Sequence, residues 1–126
     1  EFLNLTDRVQ FSQGSWYEAV VQLNQFDVIV SNPPYIANQD PHLTQGDLRF
    51  EPESALTDYA SGLSCLEIII AGADQYLKAG GLIALEHGFD QSEAVVGLMK
   101  ESGLIDIQVH LDLAGHCRAA SGRKRL

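Results

Sequence analysis

The chain has few of the residues that define whole classes of protein. It has two cysteines, Cys65 and Cys117, which are far apart and in no metal-ligand spacing. This favours a pair of reduced cytoplasmic thiols over a disulfide. Lysine and arginine number 8 against 17 acidic residues, a net charge of −9. Tight sequence-independent binding to nucleic acid needs clustered cations, so this balance disfavours it.

Membrane and metal signals are also lacking. The longest apolar stretch, residues 68–71, is far too short to span a bilayer. No cationic segment followed by an apolar one opens the chain, so nothing indicates a secretory signal. His42, His110 and His116 have no mutual metal-ligand spacing, and we predict no metal site. The 126 residues and a hydrophobic fraction of 45% indicate one soluble globular domain.

Apolar runs and helical periodicities alternate along the chain, which predicts a three-layer α/β sheet. A long loop without clear period, residues 36–60, is expected to be functional. The expected elements are a short strand at 9–11, a central parallel strand at 26–30 covered on both faces, a helix from 61 to a left-handed cap at 80–81, a strand at 82–85, a helix at 92–101, a strand at 105–113 and a short antiparallel strand at 118–124.

The segment Asn32-Pro33-Pro34-Tyr35 directly follows the predicted strand at 26–30. An amide nitrogen is a weak nucleophile, so methylating it requires a site that accepts its N–H hydrogen bonds and aligns it with the methyl donor. The Asn32 side-chain carbonyl and the Pro33 backbone carbonyl offer two acceptors, and Tyr35 offers a flat face for a planar group. The bland alternative is a stiff turn that only ends the strand. The position of the Asn-Pro-Pro-Tyr segment before a long irregular loop favours a functional role over this structural one.

Ligands in open α/β sheets bind beyond the carboxyl ends of the strands. The segments at 15–16, 32–35 and 86–87 all follow predicted strands, so we expect them to lie along one edge of the sheet. For Glu86 and His87 a structural hydrogen-bonding role is favoured over a catalytic one. Glu51, in the long loop, is a candidate to orient the loop or meet a substrate backbone.

Four segments of the chain resemble the HemK-type release factor glutamine methyltransferases. The Asn-Pro-Pro-Tyr segment is shared with adenine-specific DNA methyltransferases, whereas the Phe-Glu-Pro block is more particular to the glutamine enzymes. The four segments are Gln13 to Tyr17, Phe26 to Ile36, Phe50 to Leu56 with Gly62-Leu63 after it, and Gly80-Gly81-Leu82 through Leu85 to Gly88.

The resemblance implies a function, a cofactor and site residues. The family transfers a methyl group from S-adenosylmethionine to the glutamine of the Gly-Gly-Gln motif in peptide-chain release factors. By this resemblance Asn32, Pro33, Pro34 and Tyr35 would hold the substrate amide, and Asn32 would also lie against the donor. Trp16 matches a family position beside the adenine of the donor, although the residue taken by itself reads as a partly buried core aromatic.

The chain also departs from the family pattern. Ser15 replaces an aspartate, and the stretch at 115–120 replaces a more usual Asp-Arg-Val pattern. No Gly-x-Gly-x-Gly loop occurs, so the resemblance implies an incomplete Rossmann-like methyltransferase fold without its first strands and donor-binding loop. We therefore expect residues 1–126 to be the C-terminal portion of a class I methyltransferase catalytic domain. Alone, this portion is expected to bind the donor weakly or not at all, without turnover.

Two other functions stay open at the level of sequence. One is an adenine amino-group methyltransferase acting on DNA or RNA, against which the acidic charge and the Phe-Glu-Pro block argue. The other is an inactive domain that self-associates by pairing an exposed sheet edge with a second copy.

Overall fold

The computed structural model describes residues 8–20, 25–33 and 63–126. They form a short 3-10 helix at Trp16–Val20, four strands and two helices. In chain order the strands and helices are β1 (Phe26–Ser31), α1 (Ser64–Tyr76), β2 (Leu77–Glu86), α2 (Ser92–Glu101), β3 (Ile105–Leu111) and β4 (Cys117–Arg123).

The four strands form one mixed sheet in the order β1-β2-β4-β3. β1 and β2 are parallel, with Ser31 opposite Leu85 at their carboxyl ends. β4 runs antiparallel to both β2 and β3, and its residue Ala119 lies opposite Glu86. The carboxyl ends of β1 and β2 and the start of β4 therefore share one edge of the sheet.

Both helices cover the same face of the sheet. Alternate residues of β2, Ile83 and Leu85, are buried on this face, as period-two alternation requires. They belong to one hydrophobic cluster with side chains of both helices, among them Leu66, Ile70 and Met99. Fully burying each such side chain stabilises the fold by roughly 1.5–3 kcal/mol.

The second helix is confirmed at its predicted bounds, Ser92–Glu101. Val95 and Met99 are buried on its inner face, Glu93 lies in the first turn and Lys100 in the last, as the helix dipole favours. Gly103 follows with φ 82°, a left-handed conformation that glycine adopts without steric cost. The antiparallel final strand is also confirmed, at Cys117–Arg123.

The predicted end of the first helix is wrong. The helix ends at Tyr76, and Leu77 is already extended, buried and paired with Phe26 of β1. Gly80 does have a left-handed φ of 78°, but it lies within β2, where its N–H donates to the Lys124 carbonyl. The first helix therefore ends where Leu77 is buried and pairs with β1, and not at the glycine pair.

Two strand predictions are also corrected. Residues 9–11 form no strand, and Phe11 is exposed, because no ladder partner lies beside this segment in the described part of the chain. β1 pairs with β2 alone among the described strands, so it lies at the sheet edge rather than at its centre. Its side chains Val28 and Val30 are 52% and 75% exposed.

The described residues thus supply two of the three predicted layers, the sheet and the helices on one face. This agrees with an incomplete Rossmann-like fold. Pro34, Tyr35 and Glu51, the loop at 36–60 and the first five residues lie outside the described residues. No helix in the described ranges is long and apolar enough to cross a membrane.

Candidate functional site

The predicted acceptor residue Asn32 follows β1 at its carboxyl end and is exposed. Ser31 lies opposite Leu85, so continuing the parallel register brings Asn32 beside Glu86. Because side chains alternate between the two faces, Asn32 follows Val28 and Val30 on the face that the helices leave open. Pro33 falls on the covered face, and it is buried. The amide is therefore available to a ligand while the next residue anchors the chain.

A pocket of about 310 Å³ runs along β1. Its wall is mainly apolar and aromatic, and it reaches Ser31, the residue before Asn32. Asn32 itself is not part of the wall, so the structure brings Trp16 close to the β1 end without placing it against Asn32. The described lining residues are Trp16, Tyr17, Val20, Phe26, Val28, Ile29, Val30, Ser31 and Ile69.

Trp16 is held at this pocket by its neighbour Tyr17. The Tyr17 ring stacks on Tyr76 with centroids 4.4 Å apart, and its hydroxyl donates to the Ile69 carbonyl at 2.7 Å. Burial, with a smaller contribution from Tyr76, raises the pKa of Tyr17 to about 12, so the phenol keeps the proton it donates. Trp16 has φ 50°, an uncommon left-handed conformation for a bulky residue.

Gly72 makes room for this arrangement on α1. A Cβ at this position would overlap the Tyr17 ring. The aromatic side chain therefore packs directly on the helix backbone. The role of Tyr17 as a positioning residue was not predicted, because its partners lie 52 or more residues away in the chain.

The carboxyl end of β2 carries Glu86 and His87. Glu86 is half-buried, whereas His87 is 0% exposed. The His87 Nδ1 lies 2.7 Å from the Gly88 carbonyl and must donate to it, since a carbonyl only accepts. Nε2 is buried and has no hydrogen-bond partner among the residues that the structure describes. His87 thus fastens the turn between β2 and α2, in agreement with the structural role predicted for it.

The β3–β4 hairpin reaches the same edge of the sheet. The His87 N–H donates to the Arg118 carbonyl at 2.9 Å, which ties the hairpin to the end of β2. Asp112 closes the tip: its Oδ1 accepts from the N–H groups of Ala114 and His116, both at 2.9 Å, and its Oδ2 lies 3.1 Å from the Arg118 Nε.

The hydrogen bonds that Asp112 accepts shift the pKa of its carboxyl. The His116 N–H, together with Arg118 and the Ala114 N–H, lowers the pKa of the Asp112 carboxyl, and partial desolvation only partly opposes them. No structural consequence was predicted for the stretch at 115–120, and the role of Asp112 was not predicted either. An aspartate two residues before a backbone N–H that it caps is the usual signal of such a turn.

The site fits only part of a methyl donor. The indole of Trp16 and the apolar wall suit a flat, hydrophobic heterocycle such as adenine. The described residues of the wall include no charged side chain for a ribose or an aminoacyl group. Within the described ranges Cys65 and Cys117 form no disulfide, and no cluster of metal-ligating side chains occurs there.

Comparison with known proteins identifies many similar chains. The chain is 50% identical over 121 residues to a release factor glutamine methyltransferase of Neisseria gonorrhoeae, covering 95% of this chain and 44% of that protein. It is 51% identical over 117 residues to one of Xylella fastidiosa, covering 93% of this chain and 42% of the relative. The chain thus spans less than half the length of the curated relatives it matches. No family model matches it.

A solved structure supports the fold. The release factor-specific protein-(glutamine-N5) methyltransferase of Alicyclobacillus acidocaldarius matches 86% of this chain and 55% of its own, with TM-score 0.54 and 23% identity. The order and direction of the described strands therefore belong to a class I methyltransferase fold. The predicted resemblance is confirmed: over more than nine-tenths of its length, this chain is a relative of the C-terminal part of the release factor glutamine methyltransferases.

Proposed function

We propose that residues 1–126 are the C-terminal portion of a class I methyltransferase catalytic domain. The whole enzyme transfers a methyl group from S-adenosylmethionine to the side-chain amide nitrogen of the Gly-Gly-Gln glutamine in a release factor. The observation that carries the proposal is 50% identity over 121 residues to an enzyme of that name, with Asn32 exposed at the carboxyl end of β1. Two cysteines that form no disulfide in the described part of the chain, and relatives named for release factors, support a cytoplasmic enzyme.

The acceptor site is proposed to centre on Asn32. Its side-chain carbonyl accepts one N–H of the substrate amide, and the Pro33 carbonyl accepts the other, because Pro33 has no N–H of its own to compete. Burial of Pro33 fixes the backbone at this point. By resemblance, Pro34 and Tyr35 complete the site and Glu51 meets the substrate backbone.

The methyl donor supplies an electrophilic carbon on a sulfonium. The chain's own residues position the amide nitrogen, stabilise the positive charge that develops on it and leave its lone pair directed away from Asn32. The proton displaced from nitrogen leaves to water. Trp16 is proposed to pack beside the adenine, and Asn32 to lie between donor and acceptor. Because the described pocket wall has no charged group, we expect the 126-residue chain alone to bind the donor weakly and to show no turnover.

The test uses a chimera in which this chain replaces the matching C-terminal part of the Neisseria gonorrhoeae enzyme. Labelled S-adenosylmethionine is supplied with a release factor, or with the same factor carrying alanine in place of the Gly-Gly-Gln glutamine. Label on the first acceptor alone supports the proposal. Label on neither contradicts it. If DNA is then supplied as the acceptor, label on it would instead support an adenine amino-group methyltransferase.

A second candidate concerns the isolated chain. β1 pairs only with β2 among the described strands, and its side chains Val28 and Val30 are 52% and 75% exposed. An unpaired strand edge with apolar side chains favours pairing with a second copy. Light scattering should then show a mass that rises with concentration, and a monomer at every concentration would contradict self-association.

A further inference from the structure

The hairpin tip and the β2–α2 turn together present an exposed patch beside the proposed acceptor site. The Phe89 ring is 55% exposed and lies 5.8 Å from the His116 ring and 5.7 Å from the Arg118 guanidinium carbon. Leu113, in the same tip, is fully exposed. We call Phe89, Leu113, His116 and Arg118 the tip patch.

The tip patch is held in place by several independent contacts. Asp112 accepts two backbone N–H bonds across the tip and pairs with Arg118. The Arg118 carbonyl in turn accepts from the His87 N–H. The Arg118 guanidinium over the Phe89 ring adds a cation–π contact that joins the hairpin to the β2–α2 turn. A turn fixed in this way presents Leu113 and Phe89 at little further entropic cost to a partner.

The distance from the tip patch to Asn32 suits a polypeptide. β1 and β4 both flank β2, so the carboxyl end of β1 lies two strand spacings, about 10 Å, from the start of β4. An extended chain advances about 3.3 Å per residue, so about three residues cover this distance. A polypeptide whose glutamine reaches Asn32 therefore brings its next few residues to Arg118, the patch residue at the start of β4.

The composition of the tip patch also favours a protein partner. It combines an aromatic ring and an arginine, two residue types that are enriched at protein interfaces, with an exposed leucine beside them. The chain's net charge of −9 opposes a polyanionic partner at the same place.

We propose that the tip patch binds the acceptor protein a few residues from the modified glutamine, and so favours a release factor over a peptide limited to the Gly-Gly-Gln residues. This inference rests on the proposed function. It assigns to Leu113 and Phe89 a role in acceptor affinity, apart from the groups that hold the amide.

Leu113→Ser is the main test, in the chimera described above, because a fully exposed side chain contributes little to folding. We expect the KM for the release factor to rise about fivefold to tenfold, a loss of about 1–1.4 kcal/mol. The KM for S-adenosylmethionine, the kcat at saturating acceptor and the turnover of a short Gly-Gly-Gln peptide should not change. Phe89→Ala should shift the same KM in the same direction.

Leu126→Ser is the matched control. Leu126 is also fully exposed, but it lies beside Gly80 near the start of β2, at the opposite edge of the sheet. It should leave every constant unchanged. Equal release-factor KM values for the Leu113→Ser, Phe89→Ala and parent enzymes would overturn the inference, although label on the glutamine would still support the proposed function.

A cross-linking experiment tests the tip patch without using activity. A benzophenone amino acid is placed at position 113 or at position 126 of the 126-residue chain, and each protein is irradiated with the release factor. Cross-links from position 113 to residues flanking the Gly-Gly-Gln motif, and none from position 126, support the inference. Equal cross-linking from both positions, or none from position 113, contradicts it whatever the chimera assay gives.

Discussion

The two faces of the sheet differ strongly in the burial of their side chains. On the covered face, Ile83 and Leu85 are fully buried against both helices. On the open face, Val28 and Val30 lie opposite Leu82 and Ala84 and remain exposed. Asn32 continues the open face. The fold is therefore stabilised on one side of the sheet, while the proposed acceptor residue Asn32 continues the other, so stability and acceptor binding should respond to different substitutions.

Paired truncations on the two faces test this separation and should give the largest effect on stability. Leu85→Ala leaves a cavity under both helices and should lower the free energy of unfolding by about 2–5 kcal/mol. Val30→Ala, on the open face, should change it by less than about 0.5 kcal/mol. Urea unfolding of the 126-residue chain measures both. Equal losses would show that the open face is also packed.

A pair of glycine substitutions in the two helices tests whether the Tyr17 ring packs on α1. Gly97→Ala in α2 meets no atom within 4 Å and should stabilise the chain by roughly 0.5–1 kcal/mol, the ordinary helix propensity gain. Gly72→Ala gains the same propensity in α1, but its Cβ would overlap the Tyr17 ring. We expect a net loss of about 1–2 kcal/mol and a changed Trp16 fluorescence, as overpacking requires.

If Gly72→Ala stabilises the chain as much as Gly97→Ala does, the Tyr17 ring is not packed on α1. The stacking of Tyr17 on Tyr76 would then not position the 3-10 helix, and Trp16 would lose its structural support beside the pocket.

The hairpin tip should show a smaller, pH-dependent effect. Its hydrogen bonds lower the pKa of Asp112 below the ordinary aspartate value of 3.8, so the folded state favours the carboxylate. This contribution is fully present above about pH 4 and is lost as the pH falls through the lowered folded-state pKa. Asp112→Asn should be less stable than the parent at pH 6, and this difference should shrink towards pH 2. A constant difference across that range would contradict the ion pair with Arg118.

Local patterns in the sequence predicted most of the fold. The helix at 92–101 combines a 3.6-residue apolar period with a following glycine, and both signals are local. The end of the first helix was mispredicted because pairing of Leu77 with Phe26 depends on a distant strand. The edge position of β1 likewise depends on which strands lie beside it, and the local hydrophobic pattern does not identify those strands.

The candidate site was predicted less completely. Asn32 was found because an amide before two prolines at a strand end is an unusual choice for packing. Tyr17 and Asp112 were missed, because their roles depend on contacts with Tyr76 and Arg118 that only the fold creates. The roles of Pro34, Tyr35 and Glu51 remain predictions from resemblance.

The most direct test of the whole account is Asn32→Ala in the chimera, with turnover and unfolding measured on the same sample. Removing one acceptor of the substrate amide should lower kcat/KM for the release factor about 100-fold or more, since lost transition-state hydrogen bonds cost roughly 2.7–4 kcal/mol. Because Asn32 is exposed, the unfolding midpoint should not change. Undiminished turnover would contradict the assignment of Asn32, and so would a loss of activity matched by a loss of folded protein.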